Sequence, residues 1–217
     1  MKIQLFILVV AVLLLHMERM ERMERMDTPV AYTTLKHNDN YFTQGLTIYK
    51  DYIYESTGLY GKSGVYKLTL DGTLVQQAKN ISNNVFLEGC TIIPEKKILL
   101  VLTWKKQEAY EYNIETLELQ SVVEDIYIPL EIKEGWGITY SNSFLYMSNG
   151  TEYIYKFNSH DYSYIDKINL RHKRINEIEV VDNVLYANIW RTTNIIKYHL
   201  HLKTIKLIDI AELIPIS

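Results

Sequence analysis

A short head recurs along this chain, and its recurrence limits the fold more than any other feature. Phe42-Thr43-Gln44-Gly45-Leu46-Thr47 opens one copy, Phe86-Leu87-Glu88-Gly89-Cys90-Thr91 the next, Glu134-Gly135-Trp136-Gly137-Ile138-Thr139 a third, and Asn176-Glu177-Ile178-Glu179 a weaker fourth. Each head leads into a turn and an apolar strand (Tyr52–Tyr54, Ile98–Leu102, Phe144–Met147, Val184–Ala187). A polar corner and an alternating strand follow (Val65–Leu68, Ala109–Tyr112, Tyr153–Phe157, Ile195–Tyr198). A period of roughly 40–50 residues with about four short strands per unit is the signature of β-propeller blades. The expected fold class is therefore all-β, a β-propeller whose four heads converge on one end of a central channel.

A chain of 217 residues suits one all-β domain rather than two, and 47% apolar residues with 18 tyrosines suits half-buried sheets. The net charge of −3 leaves no basic stripe, so nucleic acid is not an expected partner. The single cysteine, Cys90, makes no internal disulfide. It follows a head glycine where other copies have Leu46 and Ile138, which reads as a small buried apolar residue. A catalytic thiol would need a histidine base, and no head contains a histidine.

Residues 1–28 read as an address. Lys2 precedes the uncharged apolar run Ile3–Leu15, which matches the ~7–15 residues of a signal-peptide core and falls short of the ~18–20 of a spanning helix. No small-x-small cleavage site separates the run from the Met-Glu-Arg triplets ending at Met26, so a signal peptide and an uncleaved anchor both stay open. The expected location is the secretory pathway or the cell exterior, with a membrane contacted only through such an anchor. The sequons Asn80-Ile81-Ser82 and Asn149-Gly150-Thr151 are compatible with that address. The propeller is expected over residues 29–217, with Val30–Leu35 as an orphan outer strand ahead of the first head. Two arrangements stay open: a ring closing on four blades, or a five-bladed fold with its last blade missing.

Several motifs occur in an order that resembles the plant-type glutaminyl cyclases. They are Phe42-Thr43-Gln44-Gly45-Leu46, Glu55 to Ser63, Leu102-Thr103-Trp104-Lys105, Glu134 to Thr139, Asn176-Glu177-Ile178-Glu179 and Tyr186 to Thr192. The resemblance covers Pro29 to Leu213. It implies a five-bladed propeller, with about four blades present here plus the orphan strand. It also implies a glutaminyl-peptide cyclotransferase, which turns the N-terminal glutamine of peptides or proteins into pyroglutamate and releases ammonia. The family's acid/base glutamate falls on Glu88, its aromatic wall on Phe42, Phe86, Trp104, Trp136 and Trp190, and its polar substrate contacts on Gln44 and Asn176. A site lysine in the family's last blade has no counterpart in this sequence. A propeller that only binds peptides or a partner protein is the alternative.

The residue types suit that chemistry. The substrate's own α-amine attacks its side-chain amide carbon, so the site mainly folds the substrate and moves protons, a task one carboxylate can perform. Glu88, between aromatic neighbours at a narrow channel, is expected to have a raised pKa. The three tryptophans would box an apolar chain ending in an amide, and Asn176 would hold the amide oxygen as charge develops on it. Gln44 reads equally as a substrate contact and as a hydrogen bonder between blades.

Other motifs carry less. Gly61-Lys62-Ser63 lacks the spacing and strand-helix context of a phosphate loop and reads as a turn. His199 and His201, two apart as on one face of an edge strand, have no further ligand at metal spacing, and Arg171-His172-Lys173-Arg174 reads as a solvated loop. No cofactor and no catalytic metal are expected. The metal constellation of the unrelated zinc-dependent animal cyclases is missing, while a structural channel cation held by carbonyls stays open.

Overall fold

The computed structural model describes residues 37–124, 126 and 131–213, so the leader-like segment and the expected strand Val30–Leu35 lie outside the described residues. Among the described residues, sixteen strands form four antiparallel sheets of four, each sheet built in chain order. Blade 1 contains β1 (Thr43–Tyr49), β2 (Tyr52–Thr57), β3 (Gly64–Thr69) and β4 (Leu74–Gln77). Blade 2 contains β5 (Leu87–Ile93), β6 (Ile98–Thr103), β7 (Ala109–Asn113) and β8 (Leu119–Val123). Blade 3 contains β9 (Ile138–Ser141), β10 (Phe144–Ser148), β11 (Tyr153–Asn158) and β12 (Tyr164–Asn169). Blade 4 contains β13 (Ile175–Val181), β14 (Val184–Ile189), β15 (Asn194–His199) and β16 (Ile205–Asp209).

In each blade the second strand is buried nearly throughout and the outermost strand is the least buried, and the sequence follows it. Strand β6 reads Ile-Leu-Leu-Val-Leu-Thr and is buried throughout, because neighbouring blades cover both of its faces. The outer strands β4 (Leu-Val-Gln-Gln) and β12 (Tyr-Ile-Asp-Lys-Ile-Asn) are largely exposed, and their polar and charged side chains discourage edge pairing. Between blades lie separate apolar layers. Leu99, Val101 and Tyr112 meet Tyr54 and Val65 between blades 1 and 2, Leu100 and Leu102 meet Leu145 and Met147 between 2 and 3, and Ile154 meets Ile178 and Leu185 between 3 and 4. Each fully buried Leu or Ile contributes about 1.5–3 kcal/mol, so stacking carries the fold.

Asn142 and Ser143 join β9 to β10, and Asp182 and Asn183 join β13 to β14, all four with positive φ. That is the two-residue type I′ turn, whose twist matches paired strands and which favours Asn and Asp.

The inner strands stack in sequence, β1 on β5, β5 on β9 and β9 on β13, with no packing of that extent between β13 and β1 among the described residues. Their approach is close enough to demand glycine. A Cβ on Gly45 would lie 2.4 Å from the Cys90 nitrogen, one on Gly89 2.6 Å from the Trp136 carbonyl oxygen, and one on Gly137 2.6 Å from the Asn176 carbonyl oxygen. Each obstacle is backbone, so nothing can swing aside. The spacing of the heads in the sequence is thus a stacking ladder in space, and it brings all four heads to one end of the channel.

One expectation is corrected. His199 ends β15, an inner neighbour of the edge strand β16, while His201 stands in the turn that follows, so the two do not share a strand face. A two-residue spacing mimics strand periodicity, but the chain has already turned at Leu200.

Candidate active site

Superposing the four blades by their pairing registers makes Gln44, Glu88, Trp136 and Asn176 equivalent. In blades 1, 2 and 4 that residue lies in an irregularity of the inner strand, between Thr43 and Gly45, Leu87 and Cys90, and Ile175 and Ile178. In blade 3 it lies just ahead of β9, where the Trp136 nitrogen donates to the Ser148 carbonyl at 3.1 Å. A bulge frees one residue from the ladder and re-aims its side chain, so each blade presents one side chain at the channel end. Neighbouring heads are tied together there: the Gly89 nitrogen donates to the Trp136 carbonyl at 2.7 Å, and the hydroxyls of Ser56 and Ser148 donate to the carbonyls of Glu88 and Asn176.

The aromatic residues singled out in the sequence form two ring clusters. Phe42 meets Phe86 edge-on at 6.2 Å between centroids, Phe86 meets Trp104 at 5.4 Å, and Trp136 meets Trp190 edge-on at 5.9 Å. Exposed Tyr60 extends the wall outward, 5.7 Å from Phe86. Trp104 and Trp190 occupy matching corners, their nitrogens bonded to the carbonyls of Phe86 and Arg174. Blade 1 has Gly58 at that corner, where a Cβ would fall 2.3 Å from the Phe86 ring, so glycine makes room for that phenyl group. Phe42, Gln44, Phe86, Trp104, Trp136, Asn176 and Trp190 are all half-buried, as the lining of an open mouth would be.

Glu88 lies deeper, at 6% exposure. Burial, with the Glu134 charge adding to it, holds its carboxyl well above the usual carboxylate range. Two more acids line the inner strand of blade 4. Glu177 is raised well above that range by burial and by Glu179 and Glu88, against the opposing backbone N–H groups of Ile178 and Ile138, and its Oε2 has no hydrogen-bond partner. Glu179 is pushed up to about 8 by burial, with the Thr139 hydroxyl opposing. A carboxyl short of donors is held protonated, because desolvation penalises only its charged form. Among the described residues no group of three His, Cys, Asp or Glu side chains stands ready to hold a metal ion. Cys90 is fully packed between blades and its thiol is pushed up by burial, as expected of a core residue.

Three residues of this site, Glu134, Glu177 and Glu179, escaped the sequence reading. Glu134 accepts hydrogen bonds from both Trp104 Nε1 (2.8 Å) and Trp136 Nε1 (2.9 Å), and Lys105 Nζ lies 3.8 Å from its other oxygen. Its signal is its place in the repeat: it occupies the position filled by Phe42 and Phe86 in the other heads. Glu177 stands where the other heads carry Gly45, Gly89 and Gly137, a substitution visible only once the ladder is known.

Known proteins resemble this chain in sequence and fold. The family described as glutamine cyclotransferase matches residues 5–214. A glutaminyl-peptide cyclotransferase of Arabidopsis thaliana is 30% identical over 162 residues, covering 72% of this chain and 48% of that protein, so the chain spans about half its length. The crystal structure of a Myxococcus xanthus glutaminyl cyclase superposes with a TM-score of 0.70 at 24% identity, over 82% of this chain and 75% of that one. A chain of a nidogen/laminin complex shares the fold alone, at a TM-score of 0.52 and 9% identity over 81% of this chain and 82% of its own. A match spanning nearly the whole sequence, four blades stacked through their glycines and an aromatic mouth above a buried glutamate lead to one assignment: the chain belongs to the glutamine cyclotransferase family.

Proposed function

We propose that the site converts the N-terminal glutamine of peptides into pyroglutamate with release of ammonia. The observation that carries this reading is the buried carboxyl of raised proton affinity at Glu88, the one such acid whose own head also carries a ring of the aromatic wall, Phe86. The α-amine forms a bond to its own side-chain amide carbon, that carbon's bond to nitrogen breaks, and ammonia leaves. One proton leaves the amine and one reaches the departing nitrogen, so a single group can take the first and supply the second. A raised carboxyl lies nearer to the α-amine in proton affinity than an ordinary carboxyl does, which eases transfer in both directions. Tethering supplies much of the rest, since effective molarities of about 10⁵–10⁸ M are reached when the attacking geometry is held. The wall of Phe42, Phe86, Trp104, Trp136 and Trp190 would hold the folded side chain, and Asn176 would stabilise the amide oxygen. Gln44 either joins Asn176 or bonds neighbouring blades.

The test is ammonia release by the purified chain from a glutamine-initiated peptide, with an asparagine-initiated peptide as control. Release from the first alone is expected. Peptide binding without release would overturn the catalytic reading in favour of a binding propeller.

Targeting to the secretory pathway, with a signal peptide or an anchor, is proposed from the run Ile3–Leu15. Of the two sequons, Asn80 is exposed, whereas Asn149 is nearly buried and its Oδ1 accepts from the Thr151 hydroxyl at 2.6 Å. A glycan is therefore expected on Asn80 alone. A glycosidase-sensitive mass shift in secretory cells should vanish in Asn80→Gln and persist in Asn149→Gln. An unshifted wild-type chain would overturn the secretory reading.

A further inference from the structure

We propose that Glu134 is a positioning residue of this site, whose one carboxylate oxygen clamps the indoles of Trp104 and Trp136 into a single wall and so sets the width of the mouth. This deepens the cyclotransferase reading and rests on it for the kinetic part. Trp104 follows β6 and Trp136 precedes β9, so the two belong to different blades. Their N–H groups nevertheless converge on Glu134 Oε2 at 2.8 and 2.9 Å. An indole N–H is a donor with no acceptor capacity, so neither ring can satisfy the other, and a shared anion is the simplest acceptor for both. The backbone supports the same junction: the Trp104 nitrogen donates to Phe86 O, and the Gly135 nitrogen donates to Trp104 O, both at 3.0 Å.

The remaining oxygen faces Lys105, whose ammonium also lies 3.9 Å from the Trp104 ring centroid. The pair is too exposed to hold this geometry by charge attraction alone, since Lys105 is 54% exposed. Glu134 also acts on Glu88 through space, raising its proton affinity after burial has done so. The other charged group coupled to Glu88 is Glu177 on β13, which is coupled in turn to Glu179. Lys105 reduces the field of Glu134 and is the one cation paired with it among the described residues.

Three variants separate the clamp from a merely structural acid. Glu134→Gln keeps a carbonyl for both indoles and removes the charge. It should leave KM and acrylamide quenching of tryptophan fluorescence near wild type, while the acid limb of kcat/KM moves to lower pH. Glu134→Ala frees both rings. It should raise KM for a glutamine-initiated peptide by about 10–100-fold, the scale of a charge-assisted hydrogen bond, and increase quenching. Glu134→Asp, too short to reach both indoles, should fall between them and covers the case in which the alanine variant does not fold. If wild type releases no ammonia, the catalytic reading fails and the clamp is judged on quenching and peptide affinity. Unchanged quenching and affinity in both Ala and Asp variants, or a Gln variant as disturbed as Ala, would overturn the clamp.

Discussion

Replacing Glu88 with glutamine should lower ammonia release from a glutamine-initiated peptide by about 10²–10⁴-fold, the usual range for loss of a general acid–base group. The amide matches the carboxyl in size and in hydrogen-bonding reach, so the change isolates the titrating proton. Peptide affinity should move little, because the wall from Phe42 to Trp190 is untouched. Thermal stability should hold or rise, since Glu88 is an acid kept in a poorly solvated place, and a neutral amide removes the cost of ionising there. A Glu88 that only supported the fold would give the reverse pattern, with a lowered melting temperature and binding and turnover weakened together. Near-normal turnover in the variant would remove Glu88 from the mechanism.

The second large effect is a fall in stability as pH rises. Glu88, Glu177 and Glu179 all bind a proton more tightly in the folded chain than a carboxyl does in the unfolded one. Below the unfolded value near 4.5 both states are protonated and no penalty arises. Above it the unfolded chain releases protons that the folded chain keeps, so stability declines by up to about 1.4 kcal/mol per pH unit for each group until its folded value is passed. For Glu179 that window runs from 4.5 to about 8. Asp71, Asp161 and Asp209 are lowered by their hydroxyl and backbone partners and work the other way, losing their small contribution in acid. The melting temperature should therefore peak in mild acid and drop by pH 8, with the drop reduced in Glu179→Gln. A flat profile from pH 5 to 8 would show that these acids are ionised and solvated in the folded chain.

The blade order was legible because stacking writes itself into the sequence twice, as apolar runs such as Ile98–Leu102 that are covered on both sides and as glycines at the first three heads. The aromatic wall was legible for a related reason: large rings at equivalent places in a repeat must meet if the repeat closes on a channel. Glu134 was not legible, because its partners are two indole N–H groups whose directions depend on how blades 2 and 3 meet. The acids of blade 4 were hidden differently. Alternating Glu177 and Glu179 reads as a solvent-facing strand, and only the packing around β13 buries Glu177 and leaves half-buried Glu179 poorly solvated. His201 misled because a two-residue step has the same spacing in a strand and in the turn beyond it.

The bulged position of the inner strand separates two jobs that most sheet residues perform together. A residue standing outside the pairing pattern can change its side chain without disturbing its neighbours' hydrogen bonds, while in the first three blades the glycine beside it keeps the blades at a fixed distance. Gln44, Glu88, Trp136 and Asn176 hold four unlike chemistries at that one register. A family of repeats with such a slot can acquire or exchange reactivity one substitution at a time, on a framework whose strand pairing stays the same.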